Sequence, residues 1–259
     1  MFQMDKESCE RGYFVVQATD MKPLETLRNI LFEEARKLSG NKGDADIETY
    51  FNFFHKLGLE DSELNDFRMS LIKNFNKRAD IGKLVWETFH EPLQSLLGPD
   101  VAIQKSTNLV IHQPNDPSVP PVHRDAPPSS SFEIVIWVPL VHCFGTKSMY
   151  VLDRKQTTDI FNKLGTDGNF EETVSATMQG KTIEMGFGSA VLFWAGLIHA
   201  IPINRETETR WSLNIRIKNM FSPYGAKGLP DFFEILQLSP LTRWAIEAEK
   251  QEQKKDSFY

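Results

Sequence analysis

Residues 210–217, Arg-Trp-Ser-Leu-Asn-Ile-Arg-Ile, alternate between polar and apolar side chains at every step. Successive side chains of an extended strand project to opposite faces. Arg210, Ser212, Asn214 and Arg216 therefore share one face, and Trp211, Leu213, Ile215 and Ile217 the other. The apolar face belongs on a core. The polar face suits either solvent or the interior of a barrel lined to hold an anion. A barrel needs more strands of this kind, and residues 100–218 supply them. VAIQKSTNLVIH (101–112) sets Gln104, Ser106 and Asn108 on one face and Ile103, Lys105, Thr107 and Leu109 on the other. PPVHRD, SFEIVIWVPLV, SMYVLD, KTIEM, SAVLFW, LIHAI and RWSLNIRIK follow, about eight strands with turn signals between them. The only helical insertion is a short one over 157–164, with a Gly- and Asp-containing loop after it. The pattern predicts a sandwich or jelly roll, mainly β with helices. A doubly wound fold is disfavoured, because the strands do not alternate with helices and no Gly-rich phosphate loop follows one.

The flanks read as helical. Leu24, Leu27, Leu31, Ala35 and Leu38 recur at helical spacing between Pro23 and Gly40. A second helix carries Ile47, Tyr50, Phe51 and Phe54, and a third Leu64, Phe67, Leu71 and Phe75. A fourth starts near Ile81, is perturbed by Pro92 and stops at Gly98-Pro99. The expected organisation is one domain over 1–259. It has a helical preface (21–97), a β core (100–220) and a helical C-terminal extension (221–259) that includes DFFEILQL (231–238) and LTRWAIEAEKQEQKK (241–255). The net charge of −6 argues against bulk binding to nucleic acid or an anionic membrane. No stretch has the apolar length of a membrane span or signal core. Two cysteines, Cys9 and Cys143, form neither a disulfide framework nor a zinc site, so a reducing cytoplasm is the expected compartment. A small-molecule partner is expected, with the oligomeric state left open.

His123-Arg124-Asp125 lies in the β region. In a strand, His123 and Asp125 project together and can grip one ion, while Arg124 points away. A histidine from a distant strand would complete a two-histidine, one-carboxylate face with open positions opposite, and His199 is the best candidate. The triplet alone also fits a structural hydrogen-bonded pair, or a zinc or other divalent site of a cupin-like isomerase or binding protein. The protein-kinase catalytic loop fits poorly: HRDAPPSS lacks its asparagine, and no D-F-G or Gly-rich ATP loop accompanies it. His55 and His90 suit packing roles on helices. His112 and His142 fall near strand ends, Trp137 and Trp194 suit the core, and Tyr150 is a half-buried tyrosine or a site residue.

Taken together, VHRDAP, FWAGLIHAIPIN, TRWSLNIRI and the closing SPYG…SPLTRWA resemble the iron(II)/2-oxoglutarate-dependent oxygenases over roughly residues 100–245. The similarity is greatest to the phytanoyl-CoA-hydroxylase-like branch, in the phrasing of oxygenases from bacterial carbohydrate and aminoglycoside biosynthesis clusters. It implies a double-stranded β-helix (a cupin-like jelly roll) with the N-terminal helices packed on it, and Fe(II), 2-oxoglutarate and O2 as cofactor and co-substrates. His123, Asp125 and His199 match the family's iron ligands. Arg210 matches the arginine on the far carboxylate of 2-oxoglutarate, and Ser212 the hydroxyl beside it. Guanidinium and carboxylate make a planar charge-assisted pair, which agrees with that role. On neighbouring strands, Gln104 and Asn108 could reach the co-substrate. Arg205 is a rival for the carboxylate, and Arg216 could meet co-substrate, substrate or a carboxylate such as Glu133. The resemblance implies hydroxylation of a small molecule with release of succinate and CO2. A non-oxidative cupin-type isomerase or binding protein is the alternative, and it has no need of Arg210 and Ser212.

Overall fold

The computed structural model describes residues 4–126, 130–164 and 182–256. The chain runs through α1 (Lys6–Arg11), β1 (Tyr13–Gln17), α2 (Lys22–Ser39), α3 (Ile47–Asn52), α4 (Asp61–Arg78), α5 (Ile81–Thr88) and α6 (His90–Leu97). It continues through β2 (Val101–Gln104), β3 (Asn108–His112), β4 (Ile134–Pro139), β5 (Tyr150–Val151) and α7 (Arg154–Leu164). β6 (Ser189–Trp194), β7 (His199–Ala200), β8 (Arg210–Asn219), β9 (Phe233–Gln237) and α8 (Pro240–Asp256) complete it. The loop expected after the 157–164 helix lies outside the described residues. Among the described residues no helix is long and apolar enough to cross a membrane.

The ten-residue strand β8 is the axis of a seven-stranded antiparallel sheet, ordered β1-β6-β4-β8-β2-β9 with β3 also paired to β8. One edge of β8 pairs with β4. The other pairs with β3 over its first half and β2 over its second. The single strand expected over 101–112 is thus broken at 105–107. Asn108 faces Asn214 and Ile103 faces Ile217, so five residue steps on one side oppose three on the other. The two extra residues bulge outward. Asn76 of α4 clamps the bulge: its side-chain oxygen accepts from Thr107 N (2.8 Å) and its amide donates to Thr107 O (3.3 Å). An even insertion preserves side-chain parity, so Gln104 and Asn108 still project to the same side.

The apolar face of β8 meets the helices. Trp211 stacks on Phe51 (4.5 Å between centroids), meets Phe54 edge-on (5.1 Å) and donates its indole N–H to Phe51 O (2.9 Å). Leu213, Ile215 and Ile217 are fully buried in the same core as Leu27, Leu31, Phe67 and Leu71 of α2 and α4. Gly82 lets α5 sit down on Ile103, since an added Cβ would lie 3.2 Å from that side chain. α2 has Pro23 in its first turn and is capped after Ser39 by Gly40 (φ 65°), the expected punctuation. The fourth helix divides at Phe89 into α5 and α6, with Pro92 in the first turn of α6, where its missing N–H costs little.

A second, smaller layer faces the polar side of β8. β5 pairs with β7, His123 bridges to His199, Tyr150 to Thr182, and Cys143 to Met185. Two elements differ from expectation. Residues 233–237 form an outer strand rather than a helix, because β2 offers a free edge on which Phe233 can bury against Tyr224 and Phe232. Tyr13–Gln17 adds a strand beyond β6 where none was foreseen. Phe51→Ala would remove the stacking partner of Trp211 and leave a cavity between layers. We expect a loss of about 3–5 kcal/mol of stability, measured as a shifted denaturation midpoint at constant slope.

Candidate metal centre and anion pocket

Between the two layers lies a cavity of about 460 Å³. All four polar residues of β8, Arg210, Ser212, Asn214 and Arg216, line it, together with His123, Asp125, His199, Gln104 and Asn108. His123, Asp125 and His199 each offer one ligand atom, and these atoms lie within 4.8 Å of one another. Backbone pairing brings them together. His123 and His199 exchange N–H···O bonds (3.2 and 2.9 Å), and Asp125 N donates to Ala195 O (3.0 Å).

Both imidazoles are oriented by carbonyls two residues upstream. His123 Nδ1–H donates to Pro121 O (2.8 Å) and His199 Nδ1–H to Leu197 O (3.0 Å). A carbonyl only accepts, so each Nδ1 carries the proton and each Nε2 keeps its lone pair for a metal. Phe193 lies edge-on to His199 (4.9 Å). Burial holds the His199 pKa below its usual value, against the pull of Asp125, which favours the neutral, ligating form. Asp125 Oδ2 stands 3.9 Å from His199 Nε2, and its Oδ1 accepts from Arg216 Nη2. Two imidazole nitrogens and one carboxylate oxygen suit a first-row divalent ion, so the residues fit the metal that the motif implies.

Away from the triad the cavity is lined by a buried cation. Arg210 is almost completely buried, with Nη1 donating to Ser148 O (2.7 Å) and no carboxylate at ion-pair distance among the described residues. Its Nε, the Ser212 hydroxyl and His112 Nδ1 are all buried without a hydrogen-bond partner among the described residues. Burial lowers the Arg210 pKa to about 10, so it stays charged at neutral pH. A buried, unpaired guanidinium is costly unless a ligand completes it.

Other candidates fall elsewhere. Arg205 is exposed and donates to Asn115 Oδ1 (2.9 Å), and neither it nor Tyr150 lines the cavity. Trp137 lines it; Trp194 instead donates to Ser131 O (2.8 Å). The Gln104 amide is engaged within the protein, its oxygen accepting from Arg216 N (3.1 Å) and its nitrogen donating to Ser106 O. Asn108 is exposed at the rim. His55 bonds Thr209 (3.0 Å between Nδ1 and Oγ1), His90 packs on Trp86, and His142 lies near Glu184 at the surface. Sequence reading overlooked two contributors from α4, Arg68 and Ile72. Arg68 donates to Ile111 O and Asp116 Oδ2 (2.8 Å), tying the helix to the loop before His123. Their helical spacing looked like ordinary core and surface.

A scan against protein-family models finds no match, and neither does a search of curated proteins. Solved structures do match. The apo form of ThoJ, a non-heme monooxygenase, aligns with a TM-score of 0.56 at 16% identity, over 90% of this chain and 82% of that one. The ThoJ–Ni complex aligns at 0.50 and 16%, over 91% and 84%. SnoK, a non-heme alpha-ketoglutarate-dependent carbocyclase from nogalamycin biosynthesis, aligns at 0.54 and 13%, over 88% of both chains. The chain shares its antiparallel, helix-flanked fold with these non-haem enzymes.

Burial, with Arg210 close by, pushes the His112 pKa from 6.5 down to about 4. In the unfolded chain the ring titrates near its ordinary value. The stability tied to keeping it neutral is therefore complete above about pH 6.5 and is lost as pH falls towards 4, by about 3 kcal/mol in full. Equilibrium unfolding of the wild type and His112→Gln across that window should give a flatter profile for the variant; parallel profiles would refute this.

Proposed function

We propose that the protein is a non-haem iron(II)- and 2-oxoglutarate-dependent dioxygenase on a double-stranded β-helix, of the phytanoyl-CoA-hydroxylase-like branch, with a small molecule hydroxylated at a C–H bond. The observation that carries this reading is one cavity holding both His123, Asp125 and His199 and the buried, unpaired Arg210. Iron(II) held by the triad would supply activation of O2, coupled to conversion of 2-oxoglutarate to succinate and CO2 and oxidation of the substrate.

The chain's own residues do the rest. Arg210 and Ser212 hold the far carboxylate of the co-substrate through charge-assisted and hydroxyl bonds. Phe193, Trp137 and Met149 form an apolar wall that keeps bulk water from the reacting groups. Gln104 holds the Arg216 backbone in place, and Arg216 steadies Asp125. Asn108, Ser118 and Asn214 offer hydrogen bonds on the open side, which suits a hydroxyl-rich, sugar-containing substrate. Both cysteines are free thiols, in keeping with a reducing cytoplasm. A non-oxidative, metal-binding cupin would use the same triad and leave Arg210 without a role.

Anaerobic addition of iron(II) and 2-oxoglutarate should give a weak visible charge-transfer band. No band, with no succinate under O2 in the presence of candidate substrates, would count against the oxygenase. Asp125→Ala should lose the band while the circular dichroism spectrum stays native. Arg210→Ala should raise the dissociation constant for 2-oxoglutarate roughly ten- to a hundredfold, the worth of one charged hydrogen bond. An unchanged constant would move the carboxylate elsewhere in the cavity.

A further inference from the structure

We infer that His112 is a further ligand-binding residue of the anion pocket, and that it takes up one proton from solvent when a carboxylate binds beside Arg210. The inference rests on the co-substrate assignment above and extends it to a residue outside the matched motif.

The geometry is specific. His112 on β3 and Arg210 on β8 are directly opposed partners in the sheet, so their side chains share the cavity face. Both are almost fully buried, at 2% and 1% exposure. The His112 Nε2 lies 3.2 Å from the Asp116 carbonyl oxygen. A carbonyl can only accept, so Nε2 carries a hydrogen. Nδ1 is then a bare lone pair in the neutral ring, and it, Arg210 Nε and Ser212 Oγ are all buried without a hydrogen-bond partner among the described residues. The three residues occupy neighbouring positions on two paired strands and line the same cavity.

Its electrostatics change when a carboxylate enters. The charged groups facing His112 are Arg210 from β8, Asp116 from the loop before the metal motif and Arg68 from α4. Asp116 spends its carboxylate on Arg68 (2.8 Å) and on Ser118 N (2.8 Å), so it does not hold His112 charged. Without an anion, burial and Arg210 keep the ring neutral. A carboxylate on Arg210 would meet the Nδ1 lone pair with repulsion. A proton on Nδ1 turns that contact into a charge-assisted hydrogen bond while Nε2–H keeps its bond to Asp116. One proton moves from a buffer acid to Nδ1: an N–H bond forms there, the buffer is left as its conjugate base, and no other bond changes.

The test is calorimetric titration of 2-oxoglutarate into manganese(II)-saturated protein, in buffers of different ionisation enthalpy. At pH 6 the wild type should take up about one proton per ligand. His112→Gln should take up none and bind roughly tenfold more weakly at pH 6, the gap narrowing as pH rises. Binding without proton uptake, or uptake unchanged in the variant, would overturn the role of His112 while leaving the co-substrate site standing. Residual uptake in the variant would assign the proton to another group, such as Glu133, whose pKa burial raises. Failure of the wild type to bind 2-oxoglutarate at all would remove both assignments together.

Discussion

The burial of β8 on both faces governs the structure. Trp211, Leu213, Ile215 and Ile217 fasten the strand to the helical layer, and the alternation of the chain then commits Arg210, Ser212, Asn214 and Arg216 to the opposite side. That side is covered by the second layer. Water is excluded from much of it, and the arginines must find partners there. Arg216 finds Asp125; among the described residues Arg210 finds only a backbone carbonyl. The cost of an uncompensated guanidinium in a well-packed core is several kcal/mol, so a fold that keeps one is organised around what binds it.

The metal triad depends on the same layering. Antiparallel pairing between the strips at 123 and 199 sets the two imidazoles side by side, 4.4 Å between ring centroids. Carbonyls at Pro121 and Leu197 then fix both tautomers without any other side chain. Asp125 is held through its backbone N–H to Ala195 O, and Arg216 holds its carboxylate from β8. One strand thus contributes twice to the cavity, with the buried Arg210 and with Arg216 behind the Asp125 carboxylate. Packing that shifts β8 would be felt by both at once.

What was legible in the chain follows the range of the forces involved. Alternation along β8, the same-side placement of His123 and Asp125, and the 3.6-residue periodicity of α2 and α4 are local, and they can be read from neighbours. Where partners are distant, reading fails. DFFEILQL has an apolar pattern compatible with a helix, and only the open edge of β2 makes it a strand. Tyr13–Gln17 is short, and its strand character comes from β6, far along the chain. The bulge at 105–107 is held by Asn76, which no local pattern singles out. The same limit hid Arg68 and Ile72, because a helix face that lines a cavity has the same periodicity as one that lines a core. His112 looked like a strand end; its significance comes from standing opposite Arg210.

On the proposed function, those distant contributors bear most on substrate choice. ThoJ and SnoK share this fold, yet one is a monooxygenase and the other a carbocyclase, so the fold does not decide the product. On the reading proposed above, His123, Asp125 and His199 hold the metal and Arg210 the co-substrate, which leaves the other reactant to the remaining walls. Here those walls are Arg68 and Ile72 from α4, Asn108 at the rim, and the loop carrying Ser118 and Pro120. The Arg68–Asp116 pair joins helix and loop, so the helical segment both buttresses the sheet and shapes the cavity. Exchanging that wall would alter what fits beside His123, Asp125 and His199 while leaving those residues in place, which on that reading puts the divergence of substrate in the helices that precede the sheet.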